Sequence, residues 1–92
     1  MIGYRLKRAR LAAKMSQTEL GIAAGIEPES ARQRVSHYET SQRTPQFQLA
    51  CRFADVLDVP DCYFYIRSED FAKKVLELYR QEKAAGKWDG VK

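Results

Sequence analysis

The sequence has few of the residues that catalytic and metal sites need. Its 92 residues include one histidine and two cysteines, with no CxxC pair. A zinc site at the usual ligand spacing cannot be assembled from this set. There is no glycine-rich phosphate loop, and no serine or cysteine has a credible second partner for nucleophilic catalysis. These absences predict a protein that is not an enzyme and that holds no metal and no cofactor.

Long apolar runs and strand patterns are also missing. No segment approaches the length that crosses a membrane, and the basic amino terminus has no apolar signal core behind it. We therefore expect a cytoplasmic protein in which Cys51 and Cys62 are free, buried thiols; a disulfide is the less supported alternative. Sustained apolar/polar alternation is absent as well, which predicts an all-α fold.

The composition is that of an ordinary globular protein with a basic excess. Hydrophobic residues make up 45% of the chain and charged residues 30%, so the chain should fold, and its length suits one small domain. The formal net charge is +4. Positive charge is concentrated early, since residues 1–14 contain no acid and hold Arg5, Lys7, Arg8, Arg10 and Lys14. This distribution permits a polyanionic partner without requiring one.

Helical periodicity predicts six segments. In chain order they cover about residues 2–14, 17–24, 28–40, 45–57, 61–65 and 67–83. The second begins with a capping box formed by Ser16 and Glu19, and Gly25 follows where a left-handed cap is wanted. The fourth is the most amphipathic, so we expect it in the core. Ser68 is the predicted cap of the sixth.

The third segment lies in PESARQRVSHYETSQRTP, residues 28–45, and has one thin apolar edge. Its start is open between Pro28, which suits the first helical position, and Ser30, which forms a second capping-box pattern with Gln33. A helical wheel with Val35 as the inward reference places four more residues on the inner side: Pro28, Ala31, Tyr38 and Glu39. It places the others outward, with Arg32 at the border: Arg32, Gln33, Arg34, Ser36 and His37. Gln pairs with adenine and Arg with guanine in a DNA groove, whereas a merely solvated face more often carries Glu/Lys pairs.

Glu39 is the exception on the inward side, because a buried carboxylate needs a partner. Arg10 of the first helix is the natural candidate. We therefore expect an ion pair between these two residues, with an architectural role.

Several different short motifs occur along the first two-thirds of the chain. They are Arg10, SQ-x-E-L at 16–20, Gly25, VS-x-YE at 35–39, RTP at 43–45 and L-DVP at 57–60. In combination they resemble the lambda-repressor-like, Cro-type (XRE) helix-turn-helix family over about residues 3–66. The resemblance implies a compact five-helix bundle that binds operator DNA, commonly as a dimer.

The resemblance also implies roles for particular residues. The implied base-reading residues are Arg32, Gln33, Ser36 and His37. The implied phosphate contacts are Gln17, Arg34, Arg43 and Thr44. The structural ion pair would join Arg10 to Glu39.

Three features depart from the family pattern. The chain is about one helical turn longer between Ile26 and Val35, and Ser41 stands where a glycine usually ends the recognition helix. Gly21 replaces a customary alanine, which costs about 1 kcal/mol of helix propensity in an exposed interior.

The predicted architecture is all-α: a lambda-repressor-like DNA-binding domain at 1–66, an added C-terminal helix at 67–83 and a flexible tail at 84–92. One edge of the added helix carries Phe71, Val75, Leu78 and Tyr79. This edge predicts either a homodimer interface or simple closure of the monomer's core.

The predicted function is sequence-specific binding of double-stranded DNA by a transcriptional regulator of prokaryotic or phage repressor type. Its recognition helix, at about 28–40, would lie in the major groove. The alternative is an antitoxin or another protein-interaction module, whose protein partner would bind the C-terminal helix or the tail around Trp88.

Overall fold

Helices and the turns between them make up residues 1–90, the part of the chain that this computed structural model describes. In chain order the elements are α1 (Gly3–Ala12), α2 (Gln17–Ala23), α3 (Pro28–Glu39), α4 (Phe47–Leu57), a 3-10 helix (Asp61–Tyr65) and α5 (Glu69–Ala84). The all-α class and the six predicted segments are confirmed. Within the described residues, no helix has the length and apolar character needed to span a membrane.

Local signals in the sequence set the starts of α2 and α5. The Ser16 hydroxyl accepts a bond from the Glu19 N–H at 3.0 Å, and the Glu19 carboxylate accepts one from the Ser16 N–H at 2.8 Å. Ser68 likewise accepts a bond from the Phe71 N–H at 3.1 Å. These caps satisfy N–H groups that the first turn of a helix leaves unpaired. At the end of α2, Gly25 has a φ of +93°, the left-handed conformation that glycine adopts readily.

The third helix starts at Pro28, the earlier of the two predicted positions. Glu27 is its N-cap residue and makes no side-chain capping bond, so Ser30 lies inside the first turn. The helix ends at Glu39, and Ser41 then adopts a φ of +61°. Ser41 therefore takes the left-handed conformation for which the family usually has a glycine. The additional turn of sequence extends the third helix and does not form a loop.

Three helix boundaries lie two residues from the predicted ones, and one of them is the start of α5 at Glu69 instead of residue 67. The first helix does not fill residues 2–14: it ends at Ala12, and Lys14 turns into the left-handed region with a φ of +58°. The Ala13 side chain is consequently exposed. The fourth helix begins two residues later than predicted because Gln46 is still in an extended conformation.

Both cysteines are free, but they are not both buried. Cys51 is half-buried and Cys62 is exposed. The 3-10 helix turns Tyr63 and Phe64 into the core, which leaves Cys62 on its outer side. The expectation of buried thiols is therefore wrong for Cys62 and only partly met by Cys51.

The core draws one large side chain from each of the first five elements. Leu6, Leu20, Val35, Phe53 and Phe64 are the largest fully buried residues. Full burial of an aliphatic or aromatic side chain contributes roughly 1.5–3 kcal/mol. This shared core holds α2 and α3 in a fixed relation to the rest of the molecule.

The last helix packs on this core along one face only. Ala72 and Tyr79 are buried and Leu76 packs against the core, whereas Phe71 and Leu78 are 57% and 56% exposed. The four residues predicted to share one edge of this helix therefore do not all face the same way. Tyr79 faces inward because it lies about 100° around the helix from Leu78, and only Phe71, Val75 and Leu78 remain on the outer side.

Part of the C-terminal segment folds back onto α5. The Trp88 and Tyr79 rings meet edge to face with centroids 4.9 Å apart. The Asp58 carboxylate accepts bonds from the Tyr79 hydroxyl at 3.0 Å and from Lys83 Nζ at 2.8 Å. Residues 91 and 92, the end of the predicted flexible tail, lie outside the described residues, and the flexibility of the tail stays a prediction.

Candidate nucleic-acid interface

Helices α2 and α3 are in close contact at Gly21. A Cβ added to this residue would lie 2.6 Å from the Ala31 Cβ, which is too close for two carbon atoms. Gly21 is buried, so the expectation of an exposed helix interior at this position is wrong. After the turn at Gly25, the Ile26 N–H donates to the Gly21 carbonyl at 2.9 Å. The glycine therefore lets α3 lie directly against α2.

Four of the five residues that the helical wheel predicts form the inward side of α3. The prediction is wrong for Pro28, which is exposed as the first residue at the amino end of the helix. Ala31 and Val35 are fully buried, and Tyr38 and Glu39 are nearly so. The Tyr38 ring meets Phe53 of α4 edge to face, with centroids 5.9 Å apart. This packing turns the opposite side of α3 toward solvent.

Arg10 and Glu39 connect α1 to the end of α3. Arg10 Nε and Nη2 donate to the two carboxylate oxygens of Glu39 at 2.6 and 3.1 Å, and both residues are buried. Arg10 Nη1 also donates to the Met15 carbonyl at 2.9 Å. A bidentate pair fixes orientation as well as distance. Glu39 is thus engaged inside the protein.

Gln17 is attached to this ion pair at the start of α2. Its Nε2 donates to Glu39 Oε1 at 3.1 Å, which leaves the second amide hydrogen for another acceptor. Gln17 and Arg32 line the same cleft of about 380 Å³. The other residues that line it are Lys7, Arg10, Ser16 and Thr18. One predicted phosphate contact and one predicted base reader therefore lie side by side.

The residues predicted to read bases share the solvent side of α3. Arg32 and Gln33 are exposed, and Ser36 and His37 are half-buried. Within residues 1–90, none of these four side chains enters an ion pair or a side-chain hydrogen bond. The sequence from 30 to 38 contains no acid. The structure therefore brings the four together as an open, uncommitted face.

A second cleft lies on the other side of that face. Arg34 and Thr44 line it, and its volume is about 530 Å³. Its remaining lining residues are Tyr38, Gln46, Gln48, Leu49 and Arg52. Because Arg32 and Arg34 are separated by about 200° around the helix, the two clefts flank the outer face of α3. Arg34 also donates to the Tyr38 hydroxyl at 2.7 Å.

Arg43 is the one predicted phosphate contact that lines neither cleft. Its side chain is exposed, and its N–H donates to the His37 carbonyl at 3.2 Å, next to the bond from Gln42 at 2.9 Å. These two bonds close the last turn of α3. The Arg43 side chain therefore leaves the protein at the carboxyl end of the helix.

Sequence reasoning did not single out Lys7, Thr18 or Arg52 as parts of this surface. Arg52 Nε donates to the Ala24 carbonyl at 2.7 Å, which ties α4 to the end of α2. Periodicity could place Lys7 and Arg52 on the outer sides of their own helices. Only the packing of α1 and α4 around the α2–α3 pair brings them beside the clefts.

Most basic residues of the early cluster form ion pairs within the protein. Arg5 is 3% exposed and, with Arg8, pairs with Glu69 of α5. Arg10 pairs with Glu39. Among the described residues, Lys7 and Lys14 are the members of this cluster without an ion pair. The charge that faces a polyanion near α3 comes from fewer basic residues than the sequence suggests.

A capped helix, a glycine turn and a second helix with an open polar face define the helix-turn-helix class of DNA-binding domains. Comparison with known proteins agrees. A family model described as a helix-turn-helix domain matches residues 2–62. The crystal structure of transcriptional regulator BswR is similar at 32% identity and a TM-score of 0.84, covering 94% of this chain and 89% of that chain. No curated protein matches the chain. The chain belongs to the helix-turn-helix domain family, of the Cro-type (XRE) kind that its motifs resemble.

Proposed function

We propose that this protein is a sequence-specific DNA-binding transcriptional regulator whose α3 enters the major groove. The observation that carries the proposal is the outer face of α3, which is open, free of acids from 30 to 38 and flanked by two clefts with basic residues. The major groove of B-DNA, about 12 Å wide, admits one α-helix. The similarity to a protein named as a transcriptional regulator supports a regulatory role.

Four residues of that face are the proposed base readers. Arg32 and Gln33 can make the most specific contacts, since Arg can donate two bonds to guanine and Gln can bond both N6 and N7 of adenine. Ser36 and His37 follow one turn later and can act as donor or acceptor. Because these side chains make no internal side-chain bonds among the described residues, they lose none when they meet a base.

The proposed phosphate contacts surround the readers. Gln17 is oriented by Glu39 at 3.1 Å and keeps one amide hydrogen for a phosphate oxygen. Arg34 and Thr44 occupy the opposite cleft, and Arg43 extends from the end of α3. Contacts of this kind set register and orientation, whereas base contacts carry the sequence information. We therefore propose that the phosphate contacts contribute the same affinity on every sequence, and that the readers on α3 supply the base preference.

We further propose that residues 1–66 form the DNA-binding domain and that α5 mediates a homodimer. The outer side of α5 presents Phe71 and Leu78 with more than half of each residue exposed, and Val75 between them is half-buried. Two copies related by a two-fold axis would present two α3 helices about 34 Å apart, one turn of DNA. A repressor of prokaryotic type would act in this form in the cytoplasm.

The second candidate is an antitoxin, or another module that binds a protein partner. The same apolar side of α5 favours it, together with Trp88, which is 46% exposed. In this case a partner protein would cover α5, and DNA binding would persist beside it. Copurification of one stoichiometric partner from the native cell would favour this candidate over the homodimer.

Selection of bound sequences from random duplex DNA tests the proposal with the full chain. We expect a palindromic motif with half-sites one helical turn apart, and an affinity that falls with salt by a log–log slope of about −0.9 per neutralised phosphate. Retention of DNA without any enriched motif would contradict sequence-specific binding. Absence of salt-sensitive retention would contradict DNA binding altogether.

A further inference from the structure

Glu29 extends the outer face of α3 by one turn beyond the four predicted readers. Because α3 starts at Pro28, Glu29 lies in its first turn, and its side chain is exposed. Glu29, Gln33 and Ser36 have the i, i+4, i+7 spacing that places three residues in one stripe of a helix. The Glu29 Cα therefore precedes the Gln33 Cα by about 6 Å along the helix axis.

The amino end of the second helix is the part that meets base edges in a helix-turn-helix. In this chain that end belongs to the additional turn, so Glu29 precedes every proposed reader. Within the described residues no cation pairs with its carboxylate. The residue is thus uncommitted in the protein, as Arg32 and Gln33 are.

We infer that Glu29 is a specificity-determining residue that accepts a hydrogen bond from the exocyclic amine of cytosine in the major groove. The inference rests on the proposed function. An ionised carboxylate can only accept hydrogen bonds. Cytosine presents a lone N4 amine there, whereas adenine places the acceptor N7 beside its amine and guanine presents two acceptors. Cytosine is therefore the base that a carboxylate matches best.

The charge of Glu29 acts on every sequence, whereas its hydrogen bond acts on one. On any duplex the carboxylate is repelled by the phosphates, and this repulsion lowers the affinity for every sequence. The compensating bond forms only where cytosine stands opposite the first turn of α3. Specificity is a difference between affinities, so the common repulsion cancels and the bond to cytosine carries the preference.

A purely structural role for Glu29 predicts a different outcome. A carboxylate in the first turn also stabilises a helix through the positive end of the helix dipole. That role would change the melting temperature and leave the base preference unaltered. The experiment must therefore read out sequence preference and stability on the same protein.

Selection from random duplex DNA with the full chain and Glu29→Gln tests the inference, with Glu27→Gln as the matched control. Glu27 is also exposed, but it is the N-cap residue and precedes the helix. We expect the unmodified protein to prefer cytosine by about fivefold or more at one position of each half-site. Glu29→Gln should shift that position to adenine, because Gln bonds adenine N6 and N7. Glu27→Gln should leave the motif unchanged.

Glu29→Ala provides a second variant, which should lose the preference at that position without gaining another. An unchanged motif in both Glu29 variants, with or without a lowered melting temperature, would overturn the inference and leave the proposed function standing. Failure of the unmodified protein to enrich any motif would overturn the proposed function, and the role of Glu29 with it.

Discussion

Gly21 of α2 lies against Ala31 of α3 so closely that there is room for a hydrogen atom but not for a methyl group. In the sequence, this glycine is an unfavourable departure from the alanine of the family. In the structure it is the contact that allows the two helices of the DNA-binding unit to meet. The helix propensity that the glycine loses is offset by the close packing of α3, the helix that carries the proposed base readers.

Replacement of Gly21 by alanine should therefore destabilise the protein. The methyl group recovers about 1 kcal/mol of helix propensity, but overpacking against Ala31 costs about 1–3 kcal/mol. We expect a net loss that urea unfolding detects as a lower midpoint. The double variant Gly21→Ala/Ala31→Gly restores the combined volume and should recover part of the loss. If Gly21→Ala were more stable than the original protein, α3 would be able to shift away from the added methyl group at little free-energy cost, and the prediction would be wrong.

Loss of the buried partner of Glu39 should be far more damaging than loss of a surface arginine. Arg10→Ala leaves a buried carboxylate unpaired, which costs about 3–5 kcal/mol. Arg8 is an exposed neighbour on the same helix, and its pair with Glu69 is partly solvated, so Arg8→Ala should cost about 1 kcal/mol or less. Thermal unfolding of both variants decides the matter, and equal melting temperatures would contradict an architectural role for the Arg10–Glu39 pair.

Base readers and phosphate contacts should respond differently to substitution. Gln33→Ala or His37→Ala should relax the base preference at one position, with a loss of about 1–3 kcal/mol on the selected site. Arg43→Ala should weaken selected and random duplexes alike and reduce the salt slope by about 1. Titrations of both duplexes at several salt concentrations separate the two effects. If Gln33→Ala left both affinities unchanged, its assignment as a reader would be wrong.

Self-association should depend on the outer side of α5. Leu78 and Leu11 are both 56% exposed, but Leu11 belongs to α1. We expect Leu78→Ser to weaken the dimer and Leu11→Ser to leave it intact, because only the former removes apolar area from the proposed interface. Sedimentation at several concentrations measures this difference. An unmodified protein that stays monomeric at high concentration would exclude a strong dimer.

Acidic pH should remove the contribution of Glu69 to folding stability. The hydrogen bond from Arg5, with further help from Arg8, lowers the pKa of this carboxyl below its ordinary value of 4.5. A lowered folded-state pKa contributes stability that is present above the unfolded value and is lost as the pH falls through the folded value. The melting temperature of the original protein should therefore exceed that of Glu69→Gln near neutral pH, and the gap should narrow below pH 4.5.

Asp70→Asn is the control for this pH dependence. Asp70 is exposed in the same first turn of α5, so it experiences the same helix dipole without the arginine partners. Its substitution should produce a smaller gap at neutral pH. A gap for Glu69→Gln that stays constant between neutral and acidic pH would show that the ion pairs with Arg5 and Arg8 add no stability.

The predictions from sequence succeeded where a signal lies within one helix. Ser16 and Glu19 form their capping box because both partners belong to the same turn. Val35 and Tyr38 are buried because an apolar edge at helical spacing must face the core. The choice between Pro28 and Ser30 stayed open in the sequence, since both residues suit the start of a helix. It was resolved in favour of Pro28, which places Glu29 in the first turn.

The predictions were incomplete or wrong where two distant segments must meet. The predicted apolar edge of α5 is divided: Tyr79 is buried, whereas Phe71 and Leu78 are exposed. Tyr79 contacts the Asp58 carboxylate and the Trp88 ring, which belong to segments outside α5. Lys7 and Arg52 belong to surfaces beside α3, although nothing in their local sequence distinguishes them. The early arginines form ion pairs with acids that are distant in sequence: Arg5 and Arg8 with Glu69, and Arg10 with Glu39. Of these, only the pair between Arg10 and Glu39 was predicted.

The sequence by itself determined the helical class, the caps, the inward and outward sides of α3 and the family to which the chain is similar. These are properties of local spacing, since caps and helical periodicity act within a few residues. The tertiary structure alone decided why residue 21 must be glycine, which basic residues flank α3 and which side of α5 stays exposed. Those outcomes depend on the distance between packed helices, and that distance is set by side-chain volumes from separate parts of the chain.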